Sequence, residues 1–419
     1  MRVLVLTMGL CALAQGALAQ ETALPELRAA AKAAPGDLGA QSALGRGLIE
    51  AGRLSEAEAQ MKVVERLGGG SIEALYEARR VDFAGDNYKK ARAGCKPLLD
   101  KDKNHALSHT CMARAFLVWR RASRAFEHID RALAADPNNY EALLALADAK
   151  RVEGDFTAAV AAYERVLAVK PSADAYLGLA LVTSVQNKPE PTLAALRKAH
   201  AADARDPDVL YELGRRAAGT EAIQLLSEAA AGRPGWPDAK LELGLAKLRA
   251  RDAAGALAVL EPLANAKPDN PIAIAGYGAA LVESGKDKEA EPVLRRALGL
   301  VPNDYLTSLA LARLYEHTQR YEEAFVQYRS AADLKRESPE PLLAAARLGL
   351  SLKRPLLSAA LLDKALERTP KSAEALALYG DVAAARGDTE AAREHYQKAL
   401  AGEGPIDRGA VQKRLAALK

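Results

Sequence analysis

Proline recurs through most of this chain at an interval close to 34 residues, and this period restricts the folds that the sequence can adopt. The prolines that mark it are Pro137, Pro171, Pro234, Pro268, Pro302, Pro339, Pro370 and Pro405. Three of the seven intervals are 34 residues long, and the last three are 37, 31 and 35 residues long. A fixed period of this length is typical of repeat arrays, in which each repeat is one supersecondary unit.

The segment between two of these prolines predicts a helix, a turn and a second helix. In residues 140–171, apolar side chains recur at helical spacing on both sides of Gly154 and Asp155. Gly154 can adopt the positive φ with which many helices end, and Pro171 cannot donate the backbone hydrogen bond that would extend the second helix.

The same segment resembles the tetratricopeptide repeat, in which small residues let two helices approach and large residues fill the remaining space. The matching residues are Leu143, Leu146, Ala147, Ala159, Tyr163 and Pro171, while Lys150 departs from the pattern. Later segments repeat it with Tyr277, Gly278, Ala290 and Ala297, and with Ala312, Tyr315, Ala324, Tyr328 and Ala331. The resemblance implies an all-α protein, a right-handed α-solenoid of about eleven helix-turn-helix repeats over residues 36–403.

Eleven turns can be placed along the array from this pattern. Their centres are Gly52, Gly85, Arg120, Gly154, Asn187, Ala217, Arg251, Gly285, Gln319, Lys353 and Gly387. Four units are irregular in sequence. The unit at 85 carries an extra residue, and the unit at 187 has Pro189 and Pro191 in its turn. The unit at 217 has a shortened turn, and the unit at 353 has Pro355. The irregular units place a possible bend between residues 173 and 235.

The two ends of the chain differ from the array. Residues 404–419 predict a C-terminal capping helix, which begins at Asp407 and covers the last repeat with Val411, Leu415 and Leu418, because stacked repeats need a polar cap. Residues 20–35 form an N-terminal segment. Residues 1–19 have the pattern of a signal peptide, with Arg2, an apolar run over 3–14 and a small-x-small site at 17–19.

A signal of this kind predicts secretion, and the Ala, Gly and Arg bias favours the periplasm of a Gram-negative bacterium. Lipidation at Cys11 is an alternative, although Leu10 stands where a small residue would be expected. No later stretch approaches the roughly 20 apolar residues of a spanning helix. A formal net charge of +4 lacks the concentrated basic field that favours nucleic acid.

The resemblance also implies that the ninth residue of each repeat points into a concave groove. Arginine holds most of these places: Arg46, Arg79 or Arg80, Arg114, Arg215, Arg313 and Arg347, with Asp148 and Asp381 interrupting the series. Guanidinium groups on successive repeats would present forked donors to carboxylates, which predicts a groove for acidic or carboxylate-ended segments of envelope proteins. Alternatively, these arginines simply solvate an open helix face.

Two cysteines remain after the predicted signal, Cys95 and Cys111, on helices that the repeat pattern stacks together. In an oxidising compartment such a pair predicts a disulfide. The alternative is a Cys₂His₂ zinc site completed by His105 and His109, although the spacing matches no zinc-finger pattern.

The sequence gives no motif for an enzyme or a cofactor: His-Glu-x-x-His, Gly-x-Ser-x-Gly and a phosphate-binding loop are all missing. Gly68 to Gly70 are interpreted as a joint between repeats, and Trp119 and Trp236 as packing residues. These observations predict a non-catalytic scaffold for a multiprotein envelope machine of secretion, pilus or motility, or outer-membrane assembly. A polysaccharide-binding solenoid and the specificity subunit of an envelope enzyme remain alternatives.

Overall fold

The computed structural model describes residues 23–85, 87–266 and 268–418. The predicted signal peptide at 1–19 and the Cys11 alternative therefore lie outside the described residues. Within the described ranges the secondary structure is helical, apart from an isolated bridge between Ser372 and Glu403. The all-α prediction is confirmed. None of the helices in these ranges combines the length and apolarity needed to cross a bilayer.

The helices follow one another as successive hairpins, with short turns between them. In chain order they are α1 (Ala23–Ala33), α2 (Leu38–Glu50), α3 (Leu54–Leu67), α4 (Ile72–Ala78), α5 (Arg80–Ala84), α6 (Tyr88–Lys101), α7 (Ala106–Val118), α8 (Ala122–Ala135), α9 (Tyr140–Glu153), α10 (Phe156–Val169), α11 (Ala173–Val185), α12 (Pro189–Ala202), α13 (Pro207–Gly214), α14 (Gly219–Gly232), α15 (Pro237–Arg249), α16 (Ala253–Asn265), α17 (Pro271–Glu283), α18 (Asp287–Leu300), α19 (Tyr305–His317), α20 (Tyr321–Leu334), α21 (Glu340–Ser351), α22 (Pro355–Arg368), α23 (Ala373–Ala385), α24 (Thr389–Ala401) and α25 (Arg408–Ala417).

Nine of the eleven predicted turn centres have a positive φ, from 52° at Arg120 to 90° at Gly154. This left-handed residue lets the chain reverse between the two helices of a hairpin and satisfies the last carbonyl groups of the first helix. The exceptions are Gly85, with a φ of −86°, and Ala217. Pro189 and Pro355 begin helices α12 and α22, where a missing backbone N–H costs nothing, so the turns before them are regular.

The chain divides into two compact units, residues 1–243 and 244–419, and the boundary falls within α15. In unit 1, hairpin α9–α10 shows the packing that the repeat pattern predicts. Ala147 and Ala159 are fully buried where the helices approach, and Tyr163 is fully buried beside them. In unit 2, a Cβ added at Gly278 would lie 2.5 Å from Cδ2 of Leu294, so glycine is required for this approach.

Helices α4 to α6 form the irregular hairpin of unit 1. Its first helix is broken at Arg79, which ends α4 and precedes α5. The Asp82 carboxylate is buried, with Oδ2 3.3 Å from Nη1 of Arg79 and Oδ1 3.5 Å from Nζ of Lys90. Pro97 lies inside α6.

Helix α25 packs against α24 at the C-terminal end of unit 2. The Val411 side chain is buried, and Leu415 and Leu418 pack partly buried against the same apolar cluster as Tyr396. Asp407 caps the helix by accepting a hydrogen bond from the backbone N–H of Ala410 at 2.9 Å.

Candidate functional site

The residues predicted to line the groove lie on the first helices of their hairpins. Their positions are Arg46 on α2, Arg80 on α5, Arg114 on α7, Asp148 on α9, Arg215 directly after α13, Arg313 on α19 and Arg347 on α21. We call the arginines of this series, together with their acidic partners, the arginine ladder.

Each ladder arginine in unit 2 pairs with an acidic residue in the first turn of the following hairpin. Arg313 Nη2 donates to Glu340 Oε1 at 2.6 Å, and Arg347 Nη2 donates to Glu374 Oε1 at 2.7 Å. Both partners lie 27 residues after their arginine. Because a helix N-terminus carries partial positive charge, an acidic residue is favoured there before any partner is considered.

The same 27-residue relation occurs in unit 1. Arg114 Nη2 donates to Glu141 Oε2 at 3.1 Å, and Arg215 Nε lies 3.8 Å from Glu242 Oε1. Arg46 pairs with Glu77 on α4. The guanidinium groups that were predicted to bind a partner are therefore already paired with carboxylates of this chain.

Glu141 accepts hydrogen bonds from three different side chains of the neighbouring hairpins. Its carboxylate accepts hydrogen bonds from Tyr76 Oη at 2.8 Å and from Arg80 Nη2 at 2.7 Å, besides the bond from Arg114. Burial alone would raise the pKa of Glu141, but the charges of Arg114 and Arg80 outweigh it and hold the pKa below its ordinary value. This carboxylate is ionised at neutral pH and fixes the first helices of three hairpins.

The aspartates that interrupt the series have partners of another kind. Asp148 accepts a hydrogen bond from the Tyr163 hydroxyl, and Asp381 accepts one from the Tyr396 hydroxyl, both at 2.7 Å and both from a tyrosine 15 residues later. Arg414 of α25 also pairs with Asp381, at 2.7 Å. Both tyrosine bonds thus join the two helices of one hairpin, and Arg414 also connects Asp381 to the following helix α25.

An acidic region accompanies the interruption at Asp148. Asp174 lies in the first turn of α11, one hairpin after Asp148. A ladder pair at this point would need an arginine at position 148, where the chain has an aspartate. Nearby, restricted hydration and then the charges of Asp203 and Asp206 raise the pKa of Glu50 to about 7. The exposed surface of unit 1 is therefore acidic at this interruption of the arginine series.

A groove with a volume of about 620 Å³ lies along the ladder in unit 2. It is lined by Arg313, Arg347, Glu340, Glu374, Tyr328 and Leu343, among others. Arg347 and Glu340 are half exposed, with 54% and 55% of their side-chain surface accessible. The Arg347–Glu374 pair is exposed on both sides, and such pairs contribute little to stability, so a partner can displace Glu374 at small cost.

Cys95 and Cys111 are joined by a disulfide, with an S–S distance of 1.99 Å, between α6 and α7. The zinc alternative is not formed, because both sulfurs are bonded to each other. His109 instead contacts the Lys103 carbonyl oxygen through Nε2 at 2.8 Å and His128 Nδ1 through Nδ1 at 3.1 Å. His105 is the N-cap of α7.

The sequence analysis missed the acidic half of the ladder. The signal was present: Glu141, Glu242, Glu340 and Glu374 each lie 27 residues after an arginine of the series. A search for opposite charges at the distance between neighbouring hairpins, rather than within one helix, would have found these pairs.

Two tetratricopeptide repeat models match this sequence, one over residues 247–305 and the other over residues 144–207, 278–339 and 343–407. The chain therefore belongs to the tetratricopeptide repeat family. Members of this family are generally non-catalytic scaffolds for other proteins.

One curated relative is the BBSome complex member BBS4 of Bos taurus, 26% identical over 172 residues, or 40% of this chain and 33% of that protein. The matched region thus spans about a third of the relative. Among solved structures, yeast Tom70 is 12% identical with a TM-score of 0.42, covering 91% of this chain and 95% of that one. MamA (MSR-1 C2) is 17% identical with a TM-score of 0.35, covering 42% of this chain and 97% of that one. TM-scores below 0.5 establish no shared partner or role.

Proposed function

We propose that this protein is a non-catalytic scaffold of the bacterial cell envelope that holds segments of partner proteins against the first helices of its hairpins. The observation that carries the proposal is the unit 2 groove, where the Arg347–Glu374 pair and the less exposed Arg313–Glu340 pair line a space of about 620 Å³. A carboxylate from a partner can replace Glu340 or Glu374 without leaving an unpaired guanidinium.

An envelope location is supported by two observations. The disulfide between Cys95 and Cys111 fits an oxidising compartment such as the periplasm. The sequence pattern of residues 1–19 is that of a secretory signal. In this compartment the scaffold would hold together components of a machine for secretion, pilus or motility, or outer-membrane assembly.

The test is recovery of partners from the native envelope by cross-linking and affinity purification of the full chain. Arg313→Glu with Arg347→Glu reverses the charge of both ladder arginines that line the groove. We expect a defined set of proteins to be recovered with the unaltered chain and lost with this variant.

A charge-swapped chain, Arg347→Glu with Glu374→Arg, is the matched control because it keeps the intramolecular pair and reverses its direction. Loss of the partners in this variant as well shows that Arg347 itself is recognised. Full recovery of the partners with both variants would refute the groove as the docking surface, and recovery of glycan alone would refute the protein scaffold.

A further inference from the structure

Positive charge is concentrated in one short part of unit 1. Residues 88–124 contain ten Lys and Arg and two Asp, a net charge of 10 − 2 = +8, whereas the whole chain has a net charge of +4. The rest of the molecule is therefore acidic on balance, and this segment is the basic region of the protein.

Within this region, seven cations form no ion pair with a described acidic residue, and five of them belong to one surface. Lys89, Arg92, Lys96, Arg120 and Arg121 are all exposed, and none of them forms an ion pair with another described residue. This distinguishes them from the ladder arginines, each of which has an internal carboxylate. Free cations retain their full attraction for an external anion, whereas paired ones must first exchange a partner.

Two aromatic side chains connect these cations into one surface. Tyr88 begins α6 and stacks on Trp119, which follows α7, with ring centroids 4.4 Å apart. The Arg121 guanidinium lies over the Trp119 ring, 4.7 Å from its centroid. Trp119 nevertheless keeps 47% of its surface exposed, unlike a residue whose role is packing alone. We call these seven residues the Trp119 patch.

The patch includes a groove of about 570 Å³ along one face of α6. Lys89, Arg92 and Lys96 line it at helical spacing, Leu99 and Met112 provide apolar walls, and Asp100 adds a single carboxylate. Trp, Tyr and Arg, which occur together in this patch, are the residue types enriched among those that dominate binding energy in protein interfaces.

We propose that the Trp119 patch is a second docking surface, and that its occupant is an acidic segment of a partner protein, with carboxylates on the cations and an apolar or aromatic side chain in the groove. A groove along one helix favours a polypeptide, because a flat layer of lipid headgroups would leave Leu99 and Met112 uncontacted. This inference rests on the proposed scaffold function and assigns a partner chemistry to a surface of unit 1.

The experiment measures binding of a fluorescein-labelled peptide rich in Glu and carrying one Tyr to the full disulfide-bonded chain by fluorescence anisotropy. Lys89→Glu with Arg92→Glu and Lys96→Glu reverses the groove cations. Its matched control is Lys288→Glu with Arg336→Glu and Lys364→Glu, three exposed cations of unit 2 with the same change in net charge.

We expect the patch variant to bind the peptide at least about tenfold more weakly than the control variant. Trp119→Ala should also weaken binding, and the matched peptide with Gln in place of Glu should not bind. Added salt should reduce the affinity, because it screens exposed charges. Thermal unfolding of each variant establishes that these exposed substitutions leave the fold intact.

Equal binding by the patch and control variants would overturn the proposal. So would equal binding of the Gln peptide, or binding of phosphatidylglycerol vesicles, heparin or a DNA oligonucleotide without binding of the acidic peptide. The two proposals can fail separately. If Arg313→Glu with Arg347→Glu leaves both the peptide binding and the recovery of envelope partners unchanged, the unit 2 groove is refuted and the Trp119 patch stands.

Discussion

Two hairpins of unit 1, α4–α6 and α9–α10, reach a stable pairing of helices by different means. In α9–α10, small residues let the helices meet, Gly154 makes the turn with a φ of 90°, and Tyr163 is fully buried. In α4–α6 the first helix is broken at Arg79, the turn at Gly85 has a φ of −86°, and a buried carboxylate occupies the interior.

The difference shows which interactions stabilise a hairpin that departs from the repeat pattern. The irregular hairpin is held by the disulfide from α6 to α7 and by the ion pairs of Asp82 with Arg79 and Lys90. Hairpin α9–α10 is held by complementary volumes and by the hydrogen bonds that join Tyr163, Asp148 and Arg151. We therefore expect the stability of hairpin α4–α6 to depend on the disulfide and on pH, and the stability of hairpin α9–α10 to depend on side-chain volume.

The largest expected effect is loss of the disulfide. Cys95→Ser with Cys111→Ser should lower the free energy of unfolding of unit 1 by about 3 kcal/mol, because a crosslink over 16 residues no longer restricts the unfolded chain. Hydrogen exchange should rise in α4 to α7 and remain slow in α9 and α10. An equal rise in both hairpins would show that the disulfide does not act locally.

Gly178→Ala tests whether the packing around Tyr163 in hairpin α9–α10 depends on side-chain volume. The added Cβ would lie 2.3 Å from Cε1 and Cζ of the Tyr163 ring, which is fully buried and has no space to move. We expect a loss of about 2 kcal/mol in urea unfolding. Gly299→Ala on α18, whose new Cβ meets nothing within 4 Å, is the control and should be neutral or slightly stabilising.

A smaller loss is expected when the tyrosine hydroxyl alone is removed. Tyr163→Phe leaves Asp148 without the hydrogen bond at 2.7 Å and should cost about 1 kcal/mol. Tyr396→Phe removes the equivalent bond to Asp381 and should have a similar effect on unit 2. A loss at one position but not at the other would mean that the two interruptions of the ladder are not equivalent.

The smallest effect concerns pH near the disulfide. Burial, and then the charges of His109 and Arg131, lower the pKa of His128 to about 4. Since the unfolded chain takes up this proton near pH 6.5 and the folded chain only near pH 4, stability should fall as pH drops through that interval. Because the ring is only half-buried, the loss should stay below about 1 kcal/mol.

His128→Gln should reduce this dependence on pH, measured as thermal unfolding of the full chain between pH 7 and pH 4. Hairpin α9–α10 contains no histidine, so its exchange protection should not follow this titration.

Local sequence determined the hairpins of this protein and the residues at their turns. Nine of eleven turn centres were identified from a glycine or a polar residue between two apolar helical patterns, because a helix ends where the backbone can adopt a positive φ. The pairing of Cys95 with Cys111 followed from the same register, since the repeat places their helices side by side.

Only the tertiary structure decided which charges are free. The arginines were visible in the sequence, but their availability depends on carboxylates one hairpin away, as in Arg347 with Glu374. The position of Trp119 on Tyr88, beside unpaired lysines and arginines, likewise depends on residues from separate helices. Helix formation is governed by interactions over a few residues, whereas charge pairing is set by how successive hairpins stack in space.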